Sequence, residues 1–332
     1  MNSLNIFNKN KTVLALAPMD GVLDYNMREV LTQILGIDFC VSEFLRVTNT
    51  LYPDKVFYEV SPELKTQGIN LNNVPVFFQL LGSDSEMIYK NAQRAISLGA
   101  KVIDLNFGCP AKVVNNHNGG AALLKSPNEI YKIINKLKVS LPSNITISAK
   151  MRLGYETPNH SVDIAKGMND AGIDWITVHC RTKLNGYKPP AFWEWIPKIK
   201  RGINVPIIVN GDIFTLNDYI ECKKITENQN FMIGRGALYN PFIFHEIRNY
   251  ENTGIIEQLE PEILFTQLKK MIFNFYLKAL ENENSQYAIS RTKQWLKFTL
   301  SSNKVCKYFL PIFETIKIIN SSDEFKSKLD LF

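Results

Sequence analysis

The sequence predicts an α/β protein: a (β/α)8 TIM barrel followed by a small all-helical domain. Three observations carry this. Eight short apolar runs recur over roughly the first 235 residues, and most are continuous rather than alternating, as strands covered on both faces must be. Between them lie stretches of helical spacing with a glycine near the stop, such as "SEMIYKNAQRAISLGA" and "SVDIAKGMNDAGI". Polar residues cluster where the runs end, which is the end of a barrel strand that carries chemistry. An open doubly wound sheet is the competing architecture. It requires a glycine-rich fingerprint in the first βα turn, and "APMDGVLD" contains no GxGxxG.

The runs are "VLALAP" (13–18), "DFCVSEF" (38–44), "PVFFQLLG" (75–82), "KVIDLN" (101–106), "NITISAKMR" (144–152), "DWITVHC" (174–180), "VPIIVN" (205–210) and "NFMIGRG" (230–236). The first ends in Pro18-Met19, the third in Gln79, and the fourth in Asn106 with Cys109 just beyond. The fifth carries Lys150 and Arg152, and the sixth ends in His179 with Arg181 and Lys183 following. The seventh ends in Asn210-Gly211-Asp212 and the eighth in Gly234-Arg235-Gly236. Beyond about residue 255 no strand-like run remains, and "PEILFTQLKKMIFNFYLKALENEN" and "SRTKQWLKFTLSS" are helical. Residues 1–250 are therefore expected to form the barrel and 251–332 an appended helical domain.

Composition narrows the function classes. The 332 residues are 45% hydrophobic and 21% charged, with a net charge of +6. That suits a globular protein and is compatible with a polyanionic partner without requiring one. The five cysteines are scattered, with no CxxC and no Cys/His pair at ligand spacing. Neither a zinc site nor a disulfide framework is expected, and the setting predicted is reducing and cytoplasmic. The segment "MNSLNIFNKNKT" lacks the apolar centre of a signal peptide. No run approaches the roughly 18 apolar residues of a membrane span.

Two features need more than packing. Lys150 lies inside an otherwise apolar strand, where an ammonium is costly without an anionic or electron-rich partner. Gly211, Gly234 and Gly236 follow the seventh and eighth runs, where barrels often hold a phosphate on exposed backbone N–H groups. A phosphate-bearing cofactor suits that place. Cys109, between Gly108 and Pro110, then becomes a thiol at the barrel mouth. It is either a nucleophile or a general acid, since an ordinary thiol is protonated at neutral pH. Cys40, Cys222 and Cys306 read as structural, and Cys180, directly after His179, as pointing elsewhere.

The blocks "LAPMDGVLDYNMRE", "QLLG", "VIDLNFGCPAKVVNNHNGGAALLKSP", "SAKMRLG", "VHCRTK", "VNGDI" and "MIGRGAL" together resemble the flavin-dependent tRNA-dihydrouridine synthases. The likeness runs over nearly the whole chain, and N-x-G-C-P-x-K is its core signature. "SEFLRVTNTLYP" and "RTKQW" look most like the bacterial subgroup that acts on U16 of the D-loop, with U17 or U20 as alternatives.

The resemblance implies FMN over the barrel mouth and NADPH as reductant. Pro18, Met19 and Asp20 would border the flavin; Gln79 and Lys150 would bond its polar edge, with His179 alongside. Asn210, Gly211, Asp212, Gly234 and Arg235 would hold the ribityl chain and phosphate. A uridine would be extruded from tRNA into the mouth. Hydride would pass to C6 and a proton from Cys109 to C5, with Asn106, Lys112 or Arg181 near O4. Arg46, Arg291 and Lys293 would grip the tRNA, and Tyr187 would stack on a base or ribose. Residues 255–332 hold 11 Lys and Arg against 9 Asp and Glu, so charge alone points only weakly to RNA. A monomer is expected.

Two departures stand out: Asp212 where the subgroup carries Glu, and Phe107 where it carries Cys. Rival readings are another FMN barrel acting on a small molecule, and a non-catalytic tRNA-binding protein. Intact Cys109, Lys150 and His179 oppose the second.

Overall fold

The computed structural model describes residues 6–7 and 11–331. The remainder of the polar N-terminal stretch lies outside the described residues. Eight parallel strands close in sequence order into a barrel: β1 (Val13–Leu16), β2 (Phe39–Arg46), β3 (Val76–Leu81), β4 (Val102–Phe107), β5 (Thr146–Gly154), β6 (Trp175–Thr182), β7 (Ile207–Asn210) and β8 (Asn230–Ile233). All eight fall on the expected runs. The eighth is shorter than its run, because Arg235 and Gly236 already belong to a helix.

The helices that follow the strands are α1 (Tyr25–Leu31), α2 (Asp54–Val60), α3 (Ser85–Ser97), α4 (Lys112–Asn115), α5 (Pro127–Ser140), α6 (Ser161–Asp170), α7 (Ile196–Lys200) and α8 (Leu216–Thr226). After β8 come α9 (Arg235–Tyr239), α10 (Ile243–Thr253), α11 (Pro261–Asn282), α12 (Ser285–Thr299), α13 (Cys306–Ile316) and α14 (Ser322–Leu331). Local chemistry starts several of them. Asp84 accepts the Met87 N–H at 2.9 Å to cap α3, and Asn284 caps α12 through Tyr287 at the same distance. On α3 the buried face is Ile88, Ala92 and Ala95, at helical spacing.

The chain divides into two compact units. The first contains the whole barrel, with Ile37–Ile213 and Asn217–Gly234. The second comprises Asn26–Gly36, Phe214–Leu216 and Arg235–Phe332. Its core is built on α11, which buries Leu264, Leu268, Ile272, Phe275 and Ala279 on one stripe. Trp295 of α12 meets Phe275 edge-on with ring centroids 5.5 Å apart, and its indole N–H donates to Leu238 O at 3.1 Å. No helix among the described residues is long and apolar enough to cross a membrane.

The barrel interior changes character along its axis. Val13, Ala15, Phe39, Val41, Phe77, Val102, Trp175, Ile208 and Met232 pack into one apolar cluster. Phe39 and Phe77 stack at 4.5 Å, and Trp175 tilts against Phe77 at 5.7 Å. Since side chains on a strand share a face every second residue, the same faces reach Gln79, Asp104 and Asn106, Thr177 and His179, and Asn210 towards the C-terminal ends. The floor is dry and aromatic, and the mouth is polar.

Candidate active site

Cys109 sits on the loop between β4 and α4, half-buried. The loop is gripped from several sides. Asn106 Oδ1 accepts the backbone N–H of Gly108 at 3.0 Å and of Cys109 at 2.9 Å. The Cys109 carbonyl accepts from Asn115 Nδ2 at 2.9 Å and from the Ala121 N–H at 3.0 Å. Gly120 has φ of 58°, and a Cβ there would lie 2.8 Å from the Cys109 carbonyl oxygen. Only glycine fits that close approach.

The amide that holds the loop is itself held. Asn106 Nδ2 donates to Gln79 Oε1 at 2.9 Å, and Gln79 Nε2 donates to Asp104 Oδ2 at 2.6 Å. Ser148 Oγ donates to the other Asp104 oxygen at 2.6 Å. Gln79 and Ser148 are fully buried and Asp104 nearly so. Burial pushes the Asp104 carboxyl above its usual range, against the hydrogen bonds from Gln79 and Ser148 and the charge of Lys150.

Lys150 pairs in register with Asn106 across β4 and β5. Its pKa is lowered to about 8, first by burial and then by repulsion from Arg152, while Asp104 pulls it up. Cys109 is shifted the other way. Burial raises its thiol pKa and Asp20 adds to that, while the Ala111 N–H, Arg152 and Lys150 oppose it. At neutral pH the mouth therefore holds a neutral thiol beside an ammonium. Arg152, fully buried, donates Nε–H to Gly108 O at 2.8 Å and Nη1–H to Thr182 O at 3.0 Å and Gly186 O at 2.8 Å. It ties the Cys109 loop to the loop after β6.

The β6–β7 side is built on a charge pair. Arg181, fully buried, is salt-bridged to Asp212 and donates Nε–H to Lys188 O at 2.8 Å. Its Nη1 lies 3.4 Å from His179 Nε2. Asp212 also accepts the Ala191 N–H at 2.8 Å and occupies the left-handed region, φ 55°, which Asp tolerates better than most residues. A Cβ on Gly211 would meet the His179 ring at 3.1 Å. One on Gly234 would meet Met19 Sδ at 3.4 Å. Backbone and side chains are thus closely set along this rim. Asn210 Nδ2 donates to Met232 O at 2.8 Å.

The expected site residues are distributed unevenly. Gln79, Asn106, Cys109, Lys150, His179, Asn210 and Gly211 share the barrel mouth, with Pro18 and Met19 half-buried at its edge and Asp20 and Lys112 exposed. Tyr187 is 55% exposed, its ring over the Arg152 guanidinium at 5.2 Å and near His179 at 6.1 Å. Arg46 donates to Val113 O at 3.2 Å, pinning the α4 segment.

Four of the expected contacts also have partners within the fold. Arg181 has no exposed surface, and its guanidinium meets Asp212, Lys188 O and His179 Nε2. Lys293 spends its ammonium on Ile319 O at 2.6 Å and Asn320 Oδ1 at 3.3 Å, a role internal to the helical unit. Arg235 belongs to the helical unit, with its guanidinium over the Phe214 ring at 5.3 Å. Arg291, also in that unit, bonds Gln294 and lies over Tyr287 at 5.9 Å. Sequence reasoning missed Asp104, Ser148 and the holding role of Arg152. The available signal was strand parity, which puts Asp104 on the face of Asn106 and both Ser148 and Arg152 on that of Lys150. Among the described residues no group of His, Cys, Asp and Glu could hold a metal ion.

The sequence matches the dihydrouridine synthase (Dus) family over residues 15–325. A tRNA-dihydrouridine(16) synthase of Neisseria meningitidis serogroup B is 40% identical over 330 residues, covering 98% of this chain and 96% of its own. One of Pseudomonas syringae pv. tomato is 41% identical, covering 85% of this chain and 88% of its own. One of Haemophilus influenzae is 37% identical, covering 95% and 98%. The chain belongs to the dihydrouridine synthase family.

Proposed function

We propose that this member of the family reduces the C5–C6 bond of uridine 16 in the tRNA D-loop to dihydrouridine, with FMN as bound cofactor and NADPH as reductant. The observation that carries the reading is Cys109: a thiol kept protonated by burial, on a loop fixed by Asn106 and Arg152, beside an ammonium at the barrel mouth. The position within tRNA rests on the names of relatives that align over nearly the full chain.

The mouth fits a flavin by its donor chemistry. Lys150 supplies a cation, and Gln79 Oε1 is already engaged by Asn106, so the Gln79 amide offers its remaining N–H to an electron-rich ring. Met19 gives an apolar wall, and the glycine at 234 leaves room against it. His179 and the backbone of Asn210–Asp212 would complete the cradle. Held there, FMN would supply the hydride chemistry for uracil C6, with NADPH as the source of electrons.

The chain's own residues do the rest. Cys109 gives its proton to C5, leaving a thiolate that Lys150 and Arg152 stabilise and solvent reprotonates. Lys112 and the second N–H of Asn106 are donors for the charge that builds on O4. Arg181 and Asp212 hold His179 and the following loop in place. Tyr187 offers a stacking surface to the extruded nucleotide.

The test is to map dihydrouridine along the tRNAs of a deletion strain and after incubation of its tRNA with purified protein and NADPH. Loss at position 16 alone, restored by the protein, is the expected result. Loss at 17 or 20 would reassign the position, and an unchanged map would remove the activity.

A further inference from the structure

Asp104 is a buried acid that the chemistry above does not use. It lies one inward-facing position below Asn106 on β4, and both of its oxygens accept hydrogen bonds at 2.6 Å. Every bond in the chain above it points towards it. Gly108 and Cys109 donate to Asn106, Asn106 donates to Gln79, and Gln79 donates to Asp104. An amide can be turned end for end with little change of shape, so Gln79 alone has no preferred orientation. Asn106, whose oxygen takes two backbone donors, turns its NH2 to the Gln79 oxygen, and Asp104 accepts the NH2 that Gln79 has left on the far side.

We propose that Asp104 is a positioning residue: it anchors the far end of the Asn106–Gln79 relay, and through Asn106 it steadies the loop that carries Cys109. The geometry allows little else for it. It is 2% exposed, so it does not meet a substrate. Its role is to anchor the last donor of a relay that begins at the Cys109 backbone. With that anchor gone, Gln79 Nε2 loses its acceptor in a buried place, and the amide turns or shifts to find another. Asn106 then loses the acceptor for its own Nδ2, and its grip on the Gly108 and Cys109 N–H groups weakens.

The catalytic consequence rests on the reading of Cys109 as proton donor, but the test does not. Iodoacetamide alkylation of the folded protein, resolved by peptide, reads the Cys109 loop directly. Cys40, Cys180 and Cys222 are buried, and half-buried Cys306 serves as the internal reference. In Asp104→Leu, Cys109 is expected to react about tenfold faster relative to Cys306 than in the wild type, the scale of a lost bond to a charged group. In Asp104→Asn the rate is expected to stay within about twofold, because the new amide keeps an oxygen for Gln79 and turns its NH2 to Ser148 Oγ, which accepts as well as it donates. In the active enzyme kcat should fall with the alkylation change, while KM for tRNA stays.

A second pair of variants covers a failure of Asp104→Leu to fold. Gln79→Glu sets two carboxylates in contact and should raise Cys109 alkylation. Adding Asp104→Asn exchanges donor and acceptor, preserves the bond to Asn106 and should return the rate to that of the wild type. Equal Cys109 rates across all variants, or a rise in Asp104→Asn as large as in Asp104→Leu, would overturn the proposal. An absence of dihydrouridine formation with the alkylation pattern intact would count against the proposed activity alone.

Discussion

On the β3–β5 side of the barrel mouth the polar side chains satisfy one another through neutral amides that end on a buried carboxylate, Asn106 to Gln79 to Asp104. On the β6–β7 side the work is done by a full charge pair, Arg181 with Asp212, which braces His179 and the backbone of Ala191 and Lys188. The difference follows from what each side must present. In the proposed reaction the first faces the reacting atoms and leaves N–H groups and the Cys109 thiol available. The second shapes a wall, where the buried Arg181 also reaches Lys188 O and His179 and so holds the loops together. Lys150 stands nearest the boundary of the two: its shift combines desolvation, repulsion from Arg152 and attraction to Asp104.

The comparison can be broken in four places. The largest effect is expected on the first side: Cys109→Ala should lower dihydrouridine formation by about 10²–10⁴-fold, while FMN still binds and is reduced by NADPH. Normal turnover in single-turnover assays would end the acid role. Next, Arg181→Met should destabilise the fold by about 3–5 kcal/mol, because it leaves a poorly solvated carboxylate without its cation. A urea midpoint close to that of the wild type would show that the pair does not brace the wall.

The third test lies at the boundary. Lys150 is charged below its pKa of about 8 and neutral above it. Affinity for FMN should therefore be flat on the acid side and weaken, by up to about tenfold per pH unit, as pH rises through 8. Lys150→Met should bind more weakly at pH 7 and lose that pH dependence. Titration by flavin fluorescence reads both, and a parallel profile in the variant would place the titrating group elsewhere. The smallest effect on function belongs to Lys293→Met in the helical unit. It should cost about 1.5–3 kcal/mol of stability, the scale of a hydrogen bond from a charged group, and leave tRNA affinity unchanged. Lost affinity with intact stability would return Lys293 to the RNA contacts.

Phe107 and Cys180 show how far strand parity carries. Both alternate with inward-facing neighbours, Asn106 and His179, and both are buried on the outer face of their strands. The aromatic ring at 107 is therefore packing between sheet and helices. It does not stand in for a second thiol in the mouth. Asp212, a cofactor contact by resemblance, has a carboxylate that meets Arg181 and the Ala191 N–H.

Hydrophobic periodicity by itself determined the eight strands and their helices, because continuous apolar runs of strand length are stable only when covered on both faces. The motif around Cys109, and Lys150 within its strand, marked the mouth, since those residue types are costly there without a chemical use. Which polar groups touch one another was a tertiary decision. Asp104 and Gln79 are 25 residues apart, Arg181 and Asp212 are 31 apart, and Lys293 and Ile319 are 26 apart. Such partners meet only through barrel closure or helix packing. A sequence records that a charge is present but not whether folding leaves it in water, pairs it or buries it, and for Arg181, Lys293 and Asp104 only the fold shows the partners.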